Sequence, residues 1–389
     1  MGDAREDAVP MRALMAGARR KQPALVDLAR RLVQAESPSG EKAAVDACTA
    51  LAAERARALG GRVKMHRRLR LGDVMEARFG QRRRGEKPVL MMGHLDTVWP
   101  LGTLKAMPWR AKDGRLWGPG VLDMKAGVAM ALTAIELLNE AGLLEREAVL
   151  LLTGDEEVGS PESRAVIERV AAECSAVFVL EPAQELAYKT SRKGTGDWRI
   201  EVKGVAAHAG VDSEKGANAL RELARAIETV SGWTDLKRGL TVSVDVAGGG
   251  TASNVIPAEA WAEVDVRIAR AADGARMARR FAGLKAVDKR CTVTATGGIN
   301  RPPMERTRGT VRLFEAAREL AAEIGLELQE ASTGGGSDGN FTSAMGVPTL
   351  DGMGAVGEGA HARHESVVAE HLAVRTAMIA GMVASCGRE

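Results

Sequence analysis

Three short, wholly apolar segments are each followed, within three residues, by a histidine or an acidic residue. The segments span residues 88–92, 148–152 and 176–180. They lead to His94, to the triplet Asp155-Glu156-Glu157, and to Glu181. Apolar runs of strand length without polar alternation are typical of parallel strands that are buried on both faces. Because open α/β sheets carry their sites at the carboxyl ends of the strands, the pattern predicts an α/β domain with a polar site at that edge.

From about residue 193 the hydrophobic pattern changes to alternation, which is typical of half-exposed strands. The segments that follow are four alternating runs and two helical stretches, at residues 198–202, 217–230, 240–246, 260–268, 273–284 and 291–295. A chain of 389 residues is too long for one ordinary core. We therefore expect a small α+β domain inserted into the larger one, with boundaries at residues 1–192, 193–301 and 302–389.

Composition excludes two classes of function. The net charge of +3 and the aromatic content of 3% argue against an extended nucleic-acid surface. No apolar run approaches the roughly 20 residues of a membrane span, and residues 1–21 lack the apolar core of a signal peptide. The four cysteines lie far apart, which favours free thiols in a reducing compartment. We expect a cytoplasmic enzyme with neither nucleic-acid nor membrane partners.

Five residues of metal-ligand type stand in five separate motifs, namely His94, Asp123, Glu157, Glu181 and His361. Two imidazoles and three carboxylates have the number and chemistry to hold two zinc ions that share one bridging carboxylate, with a metal-bound water as nucleophile. A carboxylate can bridge because it has two oxygens. The alternative for Asp123 is that it caps the helix expected to start at residue 124.

The triplet Asp155-Glu156-Glu157 carries the strongest chemical signal. Adjacent carboxylates at the end of an apolar strand repel one another unless cations neutralise them. Because neighbouring residues point to opposite sides, Glu157 can bind metal while Glu156 acts as general base on the water. An exposed acidic turn is the alternative. Upstream, Asp96 lies two residues after His94 and can hydrogen-bond its imidazole, although a structural polar pair would give the same spacing.

The sequence leaves open the roles of two further histidines and of two glycine-rich segments. His364 competes with His361 for the ligand role, and the glycines before His361 favour the latter. His208 is either a plain loop histidine or a group that stabilises an oxyanion. Residues 248–254 and 333–338 lack the spacing and lysine of a phosphate loop. Main-chain amides that hold a substrate carboxylate are the better functional interpretation.

With these motifs in order, the chain resembles the dinuclear zinc exopeptidase and deacylase family from about residue 25 to 384. That family includes carboxypeptidase G, acetylornithine deacetylase, succinyl-diaminopimelate desuccinylase and aminoacylase. Residues 117–120 and 333–338 are most similar to the glutamate carboxypeptidase (carboxypeptidase G) branch. The resemblance implies an α/β, zinc-exopeptidase-like three-layer catalytic domain. It also implies an inserted α+β, ferredoxin-like domain that acts as lid and forms a homodimer.

The resemblance implies a role for each metal-centre residue. His94 and Glu181 would hold one Zn²⁺, and Glu157 and His361 the other, with Asp123 bridging. Glu156 would be the general base and Asp96 the partner of His94, and the peptide bond after Asp123 would be cis. Co²⁺ or Mn²⁺ are alternatives to zinc.

The resemblance also implies residues for the substrate. His208 would reach the active site of the dimer partner, Asn254 and Arg301 would bind the α-carboxylate, and Gly336 would add a main-chain amide. Where carboxypeptidase G has a small uncharged stretch before the lid, this chain has Lys193 in the segment 191–194. This lysine could bind an acidic side chain, but the departure weakens the inference of strict glutamate selectivity.

The leading hypothesis is a two-zinc hydrolase that cleaves an amide next to a C-terminal residue with a free α-carboxylate, as a glutamate carboxypeptidase does. Its substrate would be a small peptide or N-acyl amino acid. The first alternative is an N-acyl amino acid deacylase of the acetylornithine or succinyl-diaminopimelate type. A remote alternative is a metal-free binding protein on the same fold, which predicts loss of a ligand or of Glu156, and the sequence retains them all.

Overall fold

The computed structural model describes residues 9–386, and the predicted outer boundaries at residues 1 and 389 lie outside this range. The chain divides into two compact units. The first contains the chain up to Ser191, Arg306–Ser332 and the chain from Ser337 onward, and the second contains Arg192–Glu305 and Thr333–Gly336. Among the described residues, no helix is both long and apolar enough to cross a membrane.

Residues 9–386 contain nine α-helices. They are α1 (Met11–Gln34), α2 (Lys42–Ala58), α3 (Ala126–Ala141), α4 (Arg164–Ala172), α5 (Ala219–Ser231), α6 (Ala271–Ala282), α7 (Arg308–Glu323), α8 (Gly339–Ala344) and α9 (His371–Ser385).

The strands of the first half of the chain are β1 (Arg62–His66), β2 (Val74–Phe79), β3 (Val89–His94), β4 (Arg110–Lys112), β5 (Arg115–Trp117), β6 (Ala148–Thr153), β7 (Ala176–Val179), β8 (Tyr188–Arg192) and β9 (Gly194–Lys203). Those of the second half are β10 (Ala207–His208), β11 (Thr241–Gly249), β12 (Val255–Ile256), β13 (Glu259–Ile268), β14 (Thr292–Arg301), β15 (Glu330–Thr333), β16 (Thr349–Leu350), β17 (Gly357–Glu358) and β18 (Ser366–Val368).

The first unit is built on a six-stranded sheet in the order β1-β2-β6-β3-β7-β16. Strands β6, β3, β7 and β16 run parallel to one another, β2 is antiparallel to β6, and β1 is antiparallel to β2. The central strands are buried on both faces, so successive residues enter two different cores. In β6, Leu150 and Leu152 pack in the core that includes α1, α3 and α9 residues, while Val149 and Leu151 pack with α4 residues. This arrangement is the three-layer α/β domain that the wholly apolar segments predict.

A second, four-stranded sheet in the same unit has the order β17-β18-β5-β4. Strand β18 pairs with β5, so Ser366 lies opposite Trp117 and Val367 opposite Leu116. This pairing joins the segment that follows His361 to the segment that precedes Asp123. Two candidate ligands that are more than 200 residues apart in sequence are thereby connected through one small sheet.

The second unit is an α+β domain with a four-stranded antiparallel sheet in the order β11-β13-β9-β14. Its core joins alternate sheet residues such as Trp198 and Val264 to residues of α5 and α6 such as Leu223 and Phe281. The unit also contains Thr333–Gly336, which the sequence prediction assigned to the larger domain. The reason is local hydrogen bonding: the Lys193 amide donates to the Thr333 carbonyl over 3.0 Å.

Candidate metal centre

Three adjacent parallel strands bring most of the candidate site together. Strands β6, β3 and β7 are neighbours, with His94 aligned to Thr153 and Met92 aligned to Val179. His94 is the last residue of β3, Glu156 and Glu157 follow β6, and Glu181 follows β7. Because parallel strands end at the same edge of the sheet, these side chains meet there.

Asp123 lies in an irregular turn immediately before α3. The turn follows Gly120, whose φ is 70°, and the peptide bond between Asp123 and Met124 is cis. Lys125 occupies the N-cap position of α3, and no side chain caps this helix. The Asp123 carboxylate instead faces two imidazoles: Oδ1 lies 3.1 Å from Nε2 of His94, and Oδ2 lies 3.3 Å from Nε2 of His361.

Each imidazole also faces a second carboxylate. Nε2 of His94 lies 3.6 Å from Oε1 of Glu181, and Nε2 of His361 lies 3.1 Å from Oε2 of Glu157. The cluster thus consists of two imidazole–carboxylate pairs with Asp123 between them. Ligand atoms of His94, Asp123 and Glu157 all lie within 4.8 Å of one another.

The donor set fits two divalent cations. Nitrogen and carboxylate oxygen atoms are the ligands that Zn²⁺ takes in proteins. Oε1 of Glu157 is buried and has no hydrogen-bond partner among residues 9–386. A buried carboxylate oxygen without a partner is costly, and a cation removes that cost. The residues present are therefore consistent with a pair of metal ions.

The electrostatics of the cluster favour positive charge between the carboxylates. Hydrogen bonds to Asp123 and Glu157 raise the pKa of His361 to about 10. Burial lowers the pKa of His94, but its contacts with Asp123 and Asp96 outweigh that effect and raise the pKa well above its usual value. Burial raises the pKa of Asp123, while the two imidazoles outweigh it and lower the pKa. A divalent cation satisfies the same electrostatic preference.

Asp96 holds both the imidazole and the acidic loop. Nδ1 of His94 lies 3.0 Å from the Asp96 main-chain oxygen and 3.5 Å from its Oδ1. The carboxylate also accepts hydrogen bonds from the amides of Glu156 and Glu157, both at 3.1 Å, and from the Ser39 hydroxyl at 2.7 Å. The sequence predicts only the imidazole contact. The two amide contacts show that Asp96 also fixes the loop after β6.

The three carboxylates of the acidic triplet point in different directions. An oxygen of Glu156 lies within 4.8 Å of ligand atoms of His94 and Glu181, whereas Glu157 contacts His361. Oδ2 of Asp155 accepts the amide hydrogens of Glu162 and Ser163, and Asp155 is fully buried. Burial raises the pKa of Asp155. The triplet is therefore a folded part of the site and not an exposed acidic turn.

The segment that contains two histidines brings His361 to the carboxylates. His361 has a φ of 62°, which is uncommon for a residue other than glycine. His364 lies beside Gly359, where a Cβ would be 2.8 Å from Cδ2 of His364. His361 thus contacts the carboxylates of Asp123 and Glu157, while the imidazole of His364 lies against Gly359.

Glu365 is a functional candidate that the sequence interpretation leaves without a role. It is 1% exposed, and its carboxylate accepts hydrogen bonds from the amides of Gly120, Leu122 and Asp123 and from the indole of Trp99. Burial raises the pKa of Glu365, and these hydrogen bonds oppose the rise. In the sequence, Glu365 is marked only by its position, four residues after His361.

The five candidate substrate residues, Lys193, His208, Asn254, Arg301 and Gly336, all belong to the second unit. His208 pairs with Val255, and the amide of Ala209 donates to the Asn254 carbonyl over 2.9 Å. His208 and Asn254 are therefore close together.

Arg301 and Gly336 form a second close pair in that unit. Arg301 is 4% exposed, and a Cβ on Gly336 would lie 3.0 Å from its Cδ. A side chain at residue 336 would therefore require the arginine side chain to shift by a few tenths of an ångström.

Comparison with known proteins identifies the family of the chain. Residues 90–385, more than half of the chain, match the family model described as Peptidase family M20/M25/M40. The chain belongs to this family. It is 31% identical over 353 residues to carboxypeptidase G2 of Pseudomonas sp. (strain RS-16), a match that covers 88% of this chain and 84% of that protein. M20 membership makes the chain a metallopeptidase-type hydrolase of amide bonds in peptides or acyl-amino acids.

The chain is also similar to a second curated protein and to a solved structure. The chain is 31% identical over 303 residues to a succinyl-diaminopimelate desuccinylase of Cereibacter sphaeroides (strain KD131 / KCTC 12085), covering 71% of this chain and 77% of that protein. The crystal structure of aminopeptidase PepT from Bacillus cereus has a TM-score of 0.80 at 21% identity, covering 94% and 98% of the two chains. This structural likeness supports the fold.

Proposed function

We propose that this M20 hydrolase is a two-metal enzyme of the glutamate carboxypeptidase type. It would cleave the amide bond next to a C-terminal amino acid that has a free α-carboxylate. One observation carries the metal-centre part of this proposal. The two oxygens of Asp123 face different imidazole–carboxylate pairs, at 3.1 Å from His94 and 3.3 Å from His361. A carboxylate between two such pairs is the arrangement of a bridged dinuclear centre.

The proposed ligands follow from these contacts. His94 and Glu181 would hold one Zn²⁺, Glu157 and His361 the other, and Asp123 would bridge them. Co²⁺ and Mn²⁺ suit the same donors. When bound, the two ions lower the pKa of a water molecule and polarise the scissile carbonyl oxygen.

Glu156 would move the proton in this reaction. Its carboxylate takes a proton from the attacking water, and the water oxygen forms the new bond to the carbonyl carbon. As the C–N bond breaks, Glu156 gives the proton to the leaving amine nitrogen. Asp96 supports this role because its carboxylate holds the Glu156 amide at 3.1 Å.

His208 would stabilise the oxyanion. The amides of Gly210 and Val211 both donate to Nδ1 of His208, over 3.2 and 3.1 Å. The neutral ring then carries its proton on Nε2, which leaves Nε2–H to donate to an oxyanion. The family resemblance assigns this histidine to the active site of a second copy of the chain.

Arg301, Asn254 and Gly336 would bind the α-carboxylate, and Lys193 would bind an acidic side chain. Arg301 is buried and packs against Gly336, and a buried guanidinium favours a bidentate carboxylate partner. The resemblance to the glutamate carboxypeptidase branch supports glutamate as that residue, and carboxypeptidase G2 is among the proteins that the chain matches. The similarity to succinyl-diaminopimelate desuccinylase supports the second candidate, an N-acyl amino acid deacylase.

A substrate panel tests the choice between these candidates. With the Zn²⁺-loaded enzyme, we expect kcat/KM for an N-acyl-glutamate to exceed that for the matched N-acyl-glutamine at least about tenfold, because one charge-assisted hydrogen bond is lost. Lys193→Met should remove most of this preference. Higher kcat/KM for N-acetylornithine or N-succinyl-diaminopimelate would favour the deacylase. Fewer than two divalent ions per chain, together with no turnover, would favour the metal-free binding protein.

Mixing two inactive variants tests whether the site is shared across a homodimer. If His208 acts in trans, a His208→Ala chain paired with a Glu156→Gln chain has one intact site. Random reassociation should then restore about a quarter of wild-type activity, since half of the dimers are hybrids with one good site. Each variant alone, taken through the same dissociation and mixing, is the control. No recovery from hybrids that are shown to form would contradict action in trans.

A further inference from the structure

Glu365 makes an unusually complete set of contacts for a buried carboxylate. Its Oε1 accepts the amide hydrogens of Leu122 at 2.9 Å and Asp123 at 3.2 Å. Its Oε2 accepts the amide hydrogen of Gly120 at 2.9 Å and the indole hydrogen of Trp99 at 2.8 Å. Two donors at each oxygen occupy its lone pairs, so the geometry fits the ionised carboxylate and not the protonated acid.

Three of these donors, the amides of Gly120, Leu122 and Asp123, belong to one irregular turn. Gly120 has a φ of 70°, and Asp123 has φ −114° and ψ 89°, outside the helical region. Main-chain amides buried without a partner cost free energy comparable to a lost hydrogen bond. One carboxylate that accepts three of them therefore selects this turn conformation over others.

The same segment also carries His361. The Glu365 amide donates to the Ala362 carbonyl over 2.9 Å, and Glu365 immediately precedes β18. His361 and the carboxylate that holds the Asp123 turn are thus joined by one short hydrogen-bonded segment. A shift of Glu365 would change the position of Asp123 relative to His361, whose Nε2 lies 3.3 Å from Oδ2 of Asp123.

We propose that Glu365 is a positioning residue for the metal centre: it fixes the main chain of residues 120–123 so that the Asp123 carboxylate spans both imidazole–carboxylate pairs. The inference rests on the proposed dinuclear function. Glu365 itself contributes no ligand, because both of its oxygens are engaged by main-chain and indole donors. It acts through Asp123.

The chain offers a matched control in Glu162. This carboxylate also accepts three consecutive amides, those of Leu69, Arg70 and Leu71 at 3.1, 3.3 and 3.4 Å, and the Arg70 guanidinium at 3.2 Å. The loop that it holds contains no proposed ligand. Glu162→Gln therefore perturbs the same kind of contact away from the metal centre.

The experiment measures Zn²⁺ affinity by competition with a chelator, and thermal midpoints with and without Zn²⁺. We expect Glu365→Gln to weaken Zn²⁺ binding about 10- to 100-fold, as for other groups that orient metal ligands. The rise in midpoint on adding Zn²⁺ should shrink accordingly. Glu162→Gln should leave the Zn²⁺ affinity within about twofold of wild type, because the loop that it holds carries no proposed ligand and distant sites usually act independently.

A milder variant covers the case in which Glu365→Gln does not fold. Trp99→Phe removes one of the four donors and keeps the carboxylate, so Zn²⁺ binding should weaken about two- to tenfold, the equivalent of one hydrogen bond. If folded Glu365→Gln, or Trp99→Phe in its place, lowers the midpoints of metal-free and Zn²⁺-loaded protein equally and leaves the affinity unchanged, Glu365 is only structural. If the wild-type protein binds no Zn²⁺, this result would instead contradict the proposed metal centre.

Discussion

Replacing Glu156 by Gln is expected to lower kcat by about 10²–10⁴-fold, the usual contribution of a general acid–base group. Glutamine has nearly the same shape but cannot take a proton from water or return one to the leaving amine. The metal content should remain at two ions per chain, because none of the five proposed ligands changes. Steady-state kinetics combined with metal analysis of the same sample measures both quantities.

The adjacent carboxylate supplies the matched control. Glu157→Gln alters a proposed ligand that lies 3.1 Å from Nε2 of His361, so it should lose metal as well as activity. The pair separates proton transfer from metal binding, although the two residues are neighbours in sequence. If the kcat of Glu156→Gln is within tenfold of the wild-type value, the assignment of Glu156 as general base is contradicted. Loss of metal from Glu156→Gln would instead make Glu156 a ligand, an option that its position near His94 and Glu181 allows.

The parallel strands are predictable because their burial is complete. The apolar runs at residues 88–92, 148–152 and 176–180 correspond to β3, β6 and β7, and the ends differ by only one or two residues. A strand buried on both faces must be apolar at every position, so its sequence signal does not depend on distant partners. The residues that follow such strands share one edge, which is why a site there could be expected before any contact is known.

Other elements depend on contacts that sequence does not reveal. Helix α1 begins at Met11 and continues through Pro23, although a proline usually ends or kinks a helix. Burial of Met11, Leu14 and Ala18 extends the helix despite the cost of an internal proline. The strands of the β17-β18-β5-β4 sheet are two or three residues long, too short for periodicity to detect.

The contacts that orient the site are equally hidden in the sequence. Glu365 holds the amide of Leu122 across 243 residues, and Asp96 holds that of Glu157 across 61. Ligand chemistry restricts which residue types can bind a metal, so His94 and Glu181 stand out. A carboxylate that accepts main-chain amides has no such restriction, because any amide can donate. Sequence therefore identifies candidate ligands more readily than the residues that orient them.

Gly354→Ala is expected to lower the free energy of unfolding by about 3 kcal/mol, the upper end of the usual cost of overpacking. A Cβ at this position would overlap the Leu180 carbonyl oxygen and lie 2.8 Å from the Glu181 carbonyl oxygen. Both obstacles are main-chain atoms, which cannot rotate away as a side chain can. The Gly354 amide also donates to the Glu181 carbonyl over 2.9 Å, so relief of the overlap would move this proposed ligand.

Denaturant unfolding and Zn²⁺ titration together test this expectation. Gly40→Ala is the control, because a Cβ there would have no atom within 4 Å, and stability should change by no more than about 1 kcal/mol. Gly354→Ala should also bind less Zn²⁺ at a given free concentration. Wild-type stability and full Zn²⁺ occupancy would show that the segment from Leu180 to Glu181 does not need this close approach.

At Gly127, two effects of a substitution by alanine change the free energy of unfolding in opposite directions. Gly127 is the second residue of α3, and Gly→Ala within a helix ordinarily stabilises it by up to about 1 kcal/mol. A Cβ at Gly127, however, would overlap the same Leu180 carbonyl oxygen from the helix side. We therefore expect Gly127→Ala to destabilise the protein. Gly127 and Gly354 both lie close to the Leu180 carbonyl group, so the main chain immediately before Glu181 is held between two glycines. A methyl group at either position should therefore displace Glu181, the proposed ligand that follows.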